Sequence, residues 1–314
     1  MSLEQPLRQS ILSTLAYFDL ADFPLTKEEL FSFLWQPPTI SYQDFLNAIA
    51  SLNLDSKFGY YFLPGREEIV EVRRRKLLIS EQKLKIARRA AKIIRSVPYL
   101  RAVFVCNTAG SEQASEDSDI DFFIITEKNR IWITRLLVTF LLELFRLRRV
   151  GKRVKNKICL SFYVTTASLD LAKWRVADDD VHFAYWLNQM LPVFDPDNYY
   201  AKFLEANLWT KTYLPNLDKI LVSSYLLKIP EFWFGKIWKK AWEKMWRGSY
   251  GDMINNQAKQ IQLSKIKFSG KEIDRGEDKG VVISDDVLKF HEKDTRIEYR
   301  EAWKQKIQYV EKNI

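Results

Sequence analysis

Apolar residues recur every three to four positions toward both ends of the chain and gather into near-continuous runs in its middle, so helices are expected outside and buried strands between. Leu7, Ile11, Leu15 and Phe18 share one face of a helix over residues 6–18. Thr26 is placed to cap a second helix ending near Trp35, and Ser41 a third that carries Phe45, Ile49 and Leu52. The period then shortens to two. Residues 57–63 and 68–73 read as strands on either side of Pro64-Gly65, a turn signal.

Beyond this hairpin, Ile86, Ala90, Ile93 and Val97 form the apolar stripe of a helix over residues 80–97, with Lys83, Lys85, Arg88, Arg89, Lys92 and Arg95 on its other faces. Pro98 stops it. Buried strands follow at 102–105, 120–126 and 158–164, the last two joined by a long apolar helix at 130–147. Only a loop separates the first two strands, which fits a small mixed or antiparallel sheet better than a doubly wound one. Residues 170–260 read as helical, with segments at 181–190, 199–209 and 231–247. The polar stretch 264–280, holding Gly270, Gly276 and Gly280, reads as a mobile loop before a short segment capped at Ser284 and a terminal helix at 294–312. The expected fold class is α+β in three parts, 1–78, 79–170 and 171–314, with no internal repeat.

Composition narrows the class without choosing a function. Of 314 residues, 47% are hydrophobic and 14% aromatic, enough for a sizeable core, and ten Gly with ten Pro exclude collagen-like and linker-dominated chains. Cys106 and Cys159 lie in apolar runs without Cys-x-x-Cys spacing, so no disulfide framework or zinc site is expected and a reducing, cytoplasmic location is. No export signal is visible at the start, and the most apolar window, 131–144, holds Arg135 and Glu143 and is too short to span a membrane. His182 and His291 lack a partner at ligand spacing, so structural roles are expected of both. Gly-x-Ser-x-Gly and P-loop patterns are absent, against a serine hydrolase or a Walker-type ATPase.

The net charge of +9 is unevenly spread. Segments 71–100 and 127–160 are strongly basic and flank an acidic 101–126, the distribution a metal-assisted phosphate site wants, although solvated helix faces give the same pattern. The order helix-helix-helix-hairpin in residues 6–75 resembles a winged helix-turn-helix. Its third helix, residues 41–53, carries Asp44 and no basic residue, so DNA binding is disfavoured and a packing or partner-binding role is expected. Arg66 and the run Arg73 to Lys76 are the cations there that could still reach nucleic acid.

The segment richest in chemistry is 103–126, VFVCNTAGSEQASEDSDIDFFIIT. On a strand, Asp119 and Asp121 project to one face while Ile120 and Phe122 pack on the other. Two carboxylates about 7 Å apart on one strand face repel each other, and a bound Mg²⁺ removes that cost. Together with the strand and turn before it, this segment resembles the DNA polymerase β-type nucleotidyltransferase superfamily. That family is marked by a strand, a Gly-Ser or similar pair opening a helix, and Asp-hydrophobic-Asp on the next strand. Gly110-Ser111 matches the pair by residue type but leaves seven residues before Asp119, whereas Asn107-Thr108 directly follows the strand and leaves ten. The second register is adopted, because Asn best tolerates a left-handed backbone and Thr108 keeps the hydroxyl that could help cup a triphosphate.

The resemblance covers residues 80–165. It implies a Mg²⁺-dependent transfer of a nucleoside monophosphate from an NTP to an acceptor hydroxyl, with metal on Asp119 and Asp121 and the nucleotide against Asn107, Thr108 and Ser118. One departure matters. Active members carry a third carboxylate on a later strand, but residues 157–164 offer Cys159, Ser161 and Tyr163 on one face and no acid. Either an acid comes from elsewhere, such as Glu112, Glu116 or Asp170, or the chain is a nucleotide- or nucleic-acid-binding regulator without turnover. Arg130, Arg135 and the run Lys152 to Lys157 are available to neutralise pyrophosphate. The acceptor is left open between small molecule, protein and RNA, as is a homo-oligomer. Trp238, Trp242 and Trp246, four apart among lysines, are expected in an interdomain or dimer core with snorkelling lysines.

Overall fold

The computed structural model describes residues 4–217, 228–268, 281–290 and 294–313. Its first part contains α1 (Glu4–Asp19), β1 (Leu25–Thr26), α2 (Lys27–Ser32), α3 (Tyr42–Ser51), β2 (Asp55–Lys57) and β3 (Tyr60–Phe62). Both expected caps form, Thr26 with Glu29 and Ser41 with Asp44, each side chain accepting the other's backbone amide. α2 ends at Ser32, short of Trp35. The hairpin turns at Phe58-Gly59, both with positive φ, so residues 57–63 hold its turn and second strand. β1 adds a third, antiparallel strand beside β3.

Residues 68–73 are not a strand. They open α4 (Ile69–Ile94), a single helix that absorbs the one expected from Ser80 and crosses the expected boundary at 78 without a break. Ile69, Val70 and Arg73 are buried on one face of it, a spacing that a helix satisfies and a strand does not. Its buried stripe is Ser80, Lys83, Ala87, Ala90 and Ile94, so Ile86 and Ile93 fall at its margin.

α4 leads into a six-stranded sheet of order β7-β4-β5-β6-β9-β8, made of β4 (Leu100–Cys106), β5 (Ile120–Thr126), β6 (Ile158–Thr165), β7 (Leu191–Phe194), β8 (Val281–Ile283) and β9 (Val287–Phe290). β5 runs antiparallel to β4 and parallel to β6, and the expected apolar helix, α5 (Ile131–Leu144), makes the crossover. The other neighbouring pairs are antiparallel, so the sheet is mixed and the class α+β, as expected. β7 interrupts a region read as helical, because Leu-Pro-Val-Phe has no polar position to reveal a period. Ser284 does cap a segment, the β8-β9 turn, where its hydroxyl accepts the amides of Asp286 and Val287.

Helices cover both faces. Val103, Val105, Ile120, Phe122 and Ile124 pack against α4, α5 and α6 (Gly248–Phe268). Phe104, Phe123, Ile125 and Phe162 pack beneath α7 (Val181–Asn188) and α8 (Tyr199–Ala206). A third core joins Leu7, Ile11 and Phe18 of α1 to Tyr185 of α7 and to Trp303 of the terminal helix α9 (Arg296–Asn313), so the first and last expected parts share an interior. The polar stretch from 264 begins as the end of α6, while its residues 269–280, like His291, lie outside the described residues. Among the described residues no helix is long and apolar enough to cross a membrane.

Candidate functional site

Ile120 is fully buried among the α4, α5 and α6 side chains, and this anchor turns its neighbours Asp119 and Asp121 together toward the other face. Asp121 pairs in register with Cys106 of β4 on one side and Cys159 of β6 on the other. Ligand atoms of Asp119, Asp121 and Cys159 lie within 4.8 Å of one another, which brings the expected carboxylate pair together with one thiol. Burial, followed by the nearby charge of Asp119, pushes the Asp121 pKa up to about 6. Ser161 Oγ donates to Asp121 at 3.5 Å, and Arg149 Nη1 donates to Asp119 Oδ2 at 2.6 Å. Burial and then Asp121 push the Cys159 thiol up to about 12, so it is protonated at neutral pH.

No third carboxylate joins this cluster among the described residues. Glu112 faces Arg73 at 3.8 Å, Glu116 lies 3.9 Å from Lys155, and Asp170 accepts the amide of Ala172. The expected face of Cys159, Ser161 and Tyr163 is also corrected. β6 carries one extra residue between its pairings with Asp121 and Phe123, a bulge that reverses which side chains face the site. Phe162 therefore lines the cavity, and Tyr163 is buried in the opposite core near Arg135.

Asn107 has the left-handed backbone expected of it, φ 54°, and starts a single helical turn, Asn107–Gly110, directly after β4. Its Oδ1 accepts the Trp186 indole N–H at 2.6 Å. Asn107, Thr108, Ser118, Asp119 and Asp121 all line one cavity of about 440 Å³, so the structure brings every expected site residue together. Ser118 turns its hydroxyl onto the Ser115 carbonyl at 3.0 Å. Ser111 of the alternative register lines the cavity too, but Gly110 is there for packing: a Cβ would stand 2.8 Å from the Val105 carbonyl oxygen.

Several contributors were not anticipated. Lys83 is 1% exposed, and its Nζ donates to the Ser118 carbonyl at 2.7 Å and to Asn156 Oδ1 at 3.0 Å, pinning from behind the loop that delivers Asp119. Its signal in the sequence was its spacing from Ser80, Ala87 and Ala90, the stripe that is actually buried. The far wall comes from Trp186 and Phe183 of α7, Lys289 of β9 and Asp294, Arg296 and Tyr299 around the start of α9. His182 also borders the cavity but shares a 3.0 Å hydrogen bond with the Tyr17 hydroxyl, and burial pushes its pKa down to about 4. It is a neutral interior imidazole, as expected.

Arg130 and Arg135 are withdrawn from the phosphate role. Arg130 pairs with Asp252 at 2.5 Å, and Arg135 donates to Gln262 at 2.6 Å on the other face of the sheet. The Trp stripe falls on a helix over residues 233–245 and just beyond, where Trp246 packs on the core while Trp238 stays 56% exposed, so only part of it is interior. Compared with protein-family models, with curated proteins and with solved structures, the chain gives no match, so the site is read from its geometry.

Proposed function

We propose that the chain is a nucleotidyltransferase of the DNA polymerase β type, moving a nucleoside monophosphate from an NTP to an acceptor hydroxyl with Mg²⁺ on Asp119 and Asp121. One observation carries this reading: a left-handed turn after one strand and a carboxylate pair at the head of the antiparallel neighbour open into the same cavity. The donor set fits the cation. Burial, and then the neighbouring charge of Asp119, hold Asp121 partly protonated, and a divalent ion held by the two carboxylates would offset both. When bound, the ion supplies charge stabilisation to the transferring phosphoryl group.

The chain's own residues divide the remaining work. Thr108, exposed at the cavity, and Asn107 beside it orient the phosphates. Arg149, bonded to Asp119 in this structure, is a cation available to receive pyrophosphate. Lys83 fixes the loop so that the two acids stay aligned.

Cys159 supports a second reading, metal-dependent NTP binding without turnover. A protonated thiol stands where an active member has its third acid, and it has no lone carboxylate charge with which to take the proton of an acceptor hydroxyl. Incubation with Mg²⁺, α-labelled NTPs and cell extract separates the two. Label transfer that vanishes in Asp119→Ala and Asp121→Ala supports the enzyme, retained Mg²⁺-dependent NTP binding without transfer supports the second reading, and loss of both overturns the site.

A further inference from the structure

The basic face of α4 and the segment joining α5 to β6 form one surface. Lys85, Arg88, Arg89 and Lys92 line a shallow cleft with Phe145, and Arg146 follows directly. The chain then makes a tight hairpin in which Val150 bridges Arg153, exposing Lys152 and Arg153 at its tip. The segment entering that hairpin carries Arg149, bonded to Asp119. Lys83 ties the same stretch of α4 to Asn156 and Ser118, so helix, hairpin and carboxylate pair are held as one body. A line of cations thus runs from the middle of α4 to the mouth of the site.

These charges are not consumed inside the protein. Elsewhere three well-buried arginines are paired with acids, Arg73 with Glu29, Arg101 with Glu243 and Arg296 with Asp180. Among the described residues Arg88, Arg89, Lys92, Arg146, Lys152 and Arg153 have no acidic partner, and five of these six are exposed. Phe145, 51% exposed in their midst, offers a ring face on which a base can stack. We infer that this tract binds the backbone of a single-stranded nucleic acid and leads its terminal hydroxyl to Asp119 and Asp121 as the acceptor. A membrane surface fits less well, because the tract converges on a cleft that a bilayer does not enter.

The inference rests on the proposed transfer only for its last step. There the terminal hydroxyl oxygen bonds to the α-phosphorus as the bond to the β-phosphate oxygen breaks, pyrophosphate leaves with the electron pair, and the proton passes to water. The test is fluorescence anisotropy of the full chain with labelled oligouridylate and oligothymidylate of about 20 nucleotides. If about four phosphates are neutralised, raising salt from about 50 to about 200 mM weakens binding about fifty-fold. Arg89→Glu, Lys92→Glu and Arg146→Glu combined weaken it at least about tenfold with Mg²⁺-dependent ATP binding unchanged, while Lys236→Glu with Lys240→Glu, on another basic helix, leaves it intact. Binding of either strand supports the tract, and the tighter one names the acceptor. No binding at low salt, equal binding by the triple variant, or capture of phosphatidylserine vesicles in place of oligonucleotide overturns it. Oligonucleotide binding without ATP binding upholds the tract and sinks the transfer reading, and the reverse sinks the tract alone.

Discussion

Removing the charge of Asp121 should make the metal-free protein more stable. The side chain is 8% exposed and faces Asp119, and its pKa of about 6 stands against an ordinary 3.8. At neutral pH the folded chain therefore ionises this group against a penalty the unfolded chain does not meet. About two units of pKa correspond to about 3 kcal/mol. The folded state holds the proton more tightly, so the penalty is absent below about pH 4, grows as pH rises to about 6 and is constant above. Asp121→Asn keeps the shape and the contact with Ser161 without the charge.

In chelator at about pH 7.5 the variant should melt about 5 °C above the parent, and about half as far above it at pH 5. Added Mg²⁺ should close most of this gap. At a hundredfold excess over its Kd the ion stabilises the parent by about 2.7 kcal/mol, whereas the variant has lost half of the carboxylate pair. Melting curves by circular dichroism across this pH range, with and without Mg²⁺, give all four numbers. A variant no more stable than the parent in chelator, or a difference that fails to shrink toward pH 5, would refute the claim that burial and the neighbouring Asp119 charge hold Asp121 against ionisation.

Three further substitutions probe the same centre. Cys159→Asp sets a third carboxylate opposite Asp121, so metal-free melting should fall while Mg²⁺ binds at least about tenfold tighter, read from the Mg²⁺ dependence of the melt, and labelled transfer should rise. Arg149→Ala uncovers Asp119, so calorimetry should find tighter Mg²⁺ alone but an NTP affinity at least about fivefold weaker. Lys83→Met leaves the part-buried carbonyl bonds at Glu116 and Ser118 without their donor, which should cost about 1 kcal/mol and speed amide hydrogen exchange across residues 116–118.

The strands that carry the site were legible because each is a dense apolar run with a charged start: the extent of β5 is as expected, and the carboxylates face one way because alternation leaves Ile120 no other course. The caps of α2 and α3 were legible for a similar local reason, a hydroxyl three residues before an acid. What escaped depends on neighbours in space. The bulge in β6 exists only through its pairing with β5, so a strict two-residue count sent Tyr163 to the wrong face. Ile69 and Val70 fit either period until the core they enter is known. Lys83 is read as solvated by its chemistry and is buried by its position. The far wall, from Trp186 to Tyr299, is assembled from segments more than a hundred residues apart and leaves no local trace.

That distant assembly bears on what the N-terminal part is for. Of the cations there that could have met nucleic acid, three are engaged internally: Arg66 with Asp19 and Asp22, Arg73 with Glu29 and the Pro24 carbonyl, and Lys76 with the Ala21 carbonyl, while Arg74 pairs with Glu71 at the surface and Arg75 is exposed. Asp44, the acid on the third helix, is part of its cap. Meanwhile α1 packs along α9, Trp303 donates to the Ser13 carbonyl, and Tyr17 bonds His182 at the edge of the cavity. A unit that spends three of its five candidate cations on internal contacts and whose core is shared with α7 and α9 acts as a brace. By holding α7 and the start of α9 in place it sets the aromatic wall opposite the carboxylates, which is a positional role that needs no ligand of its own.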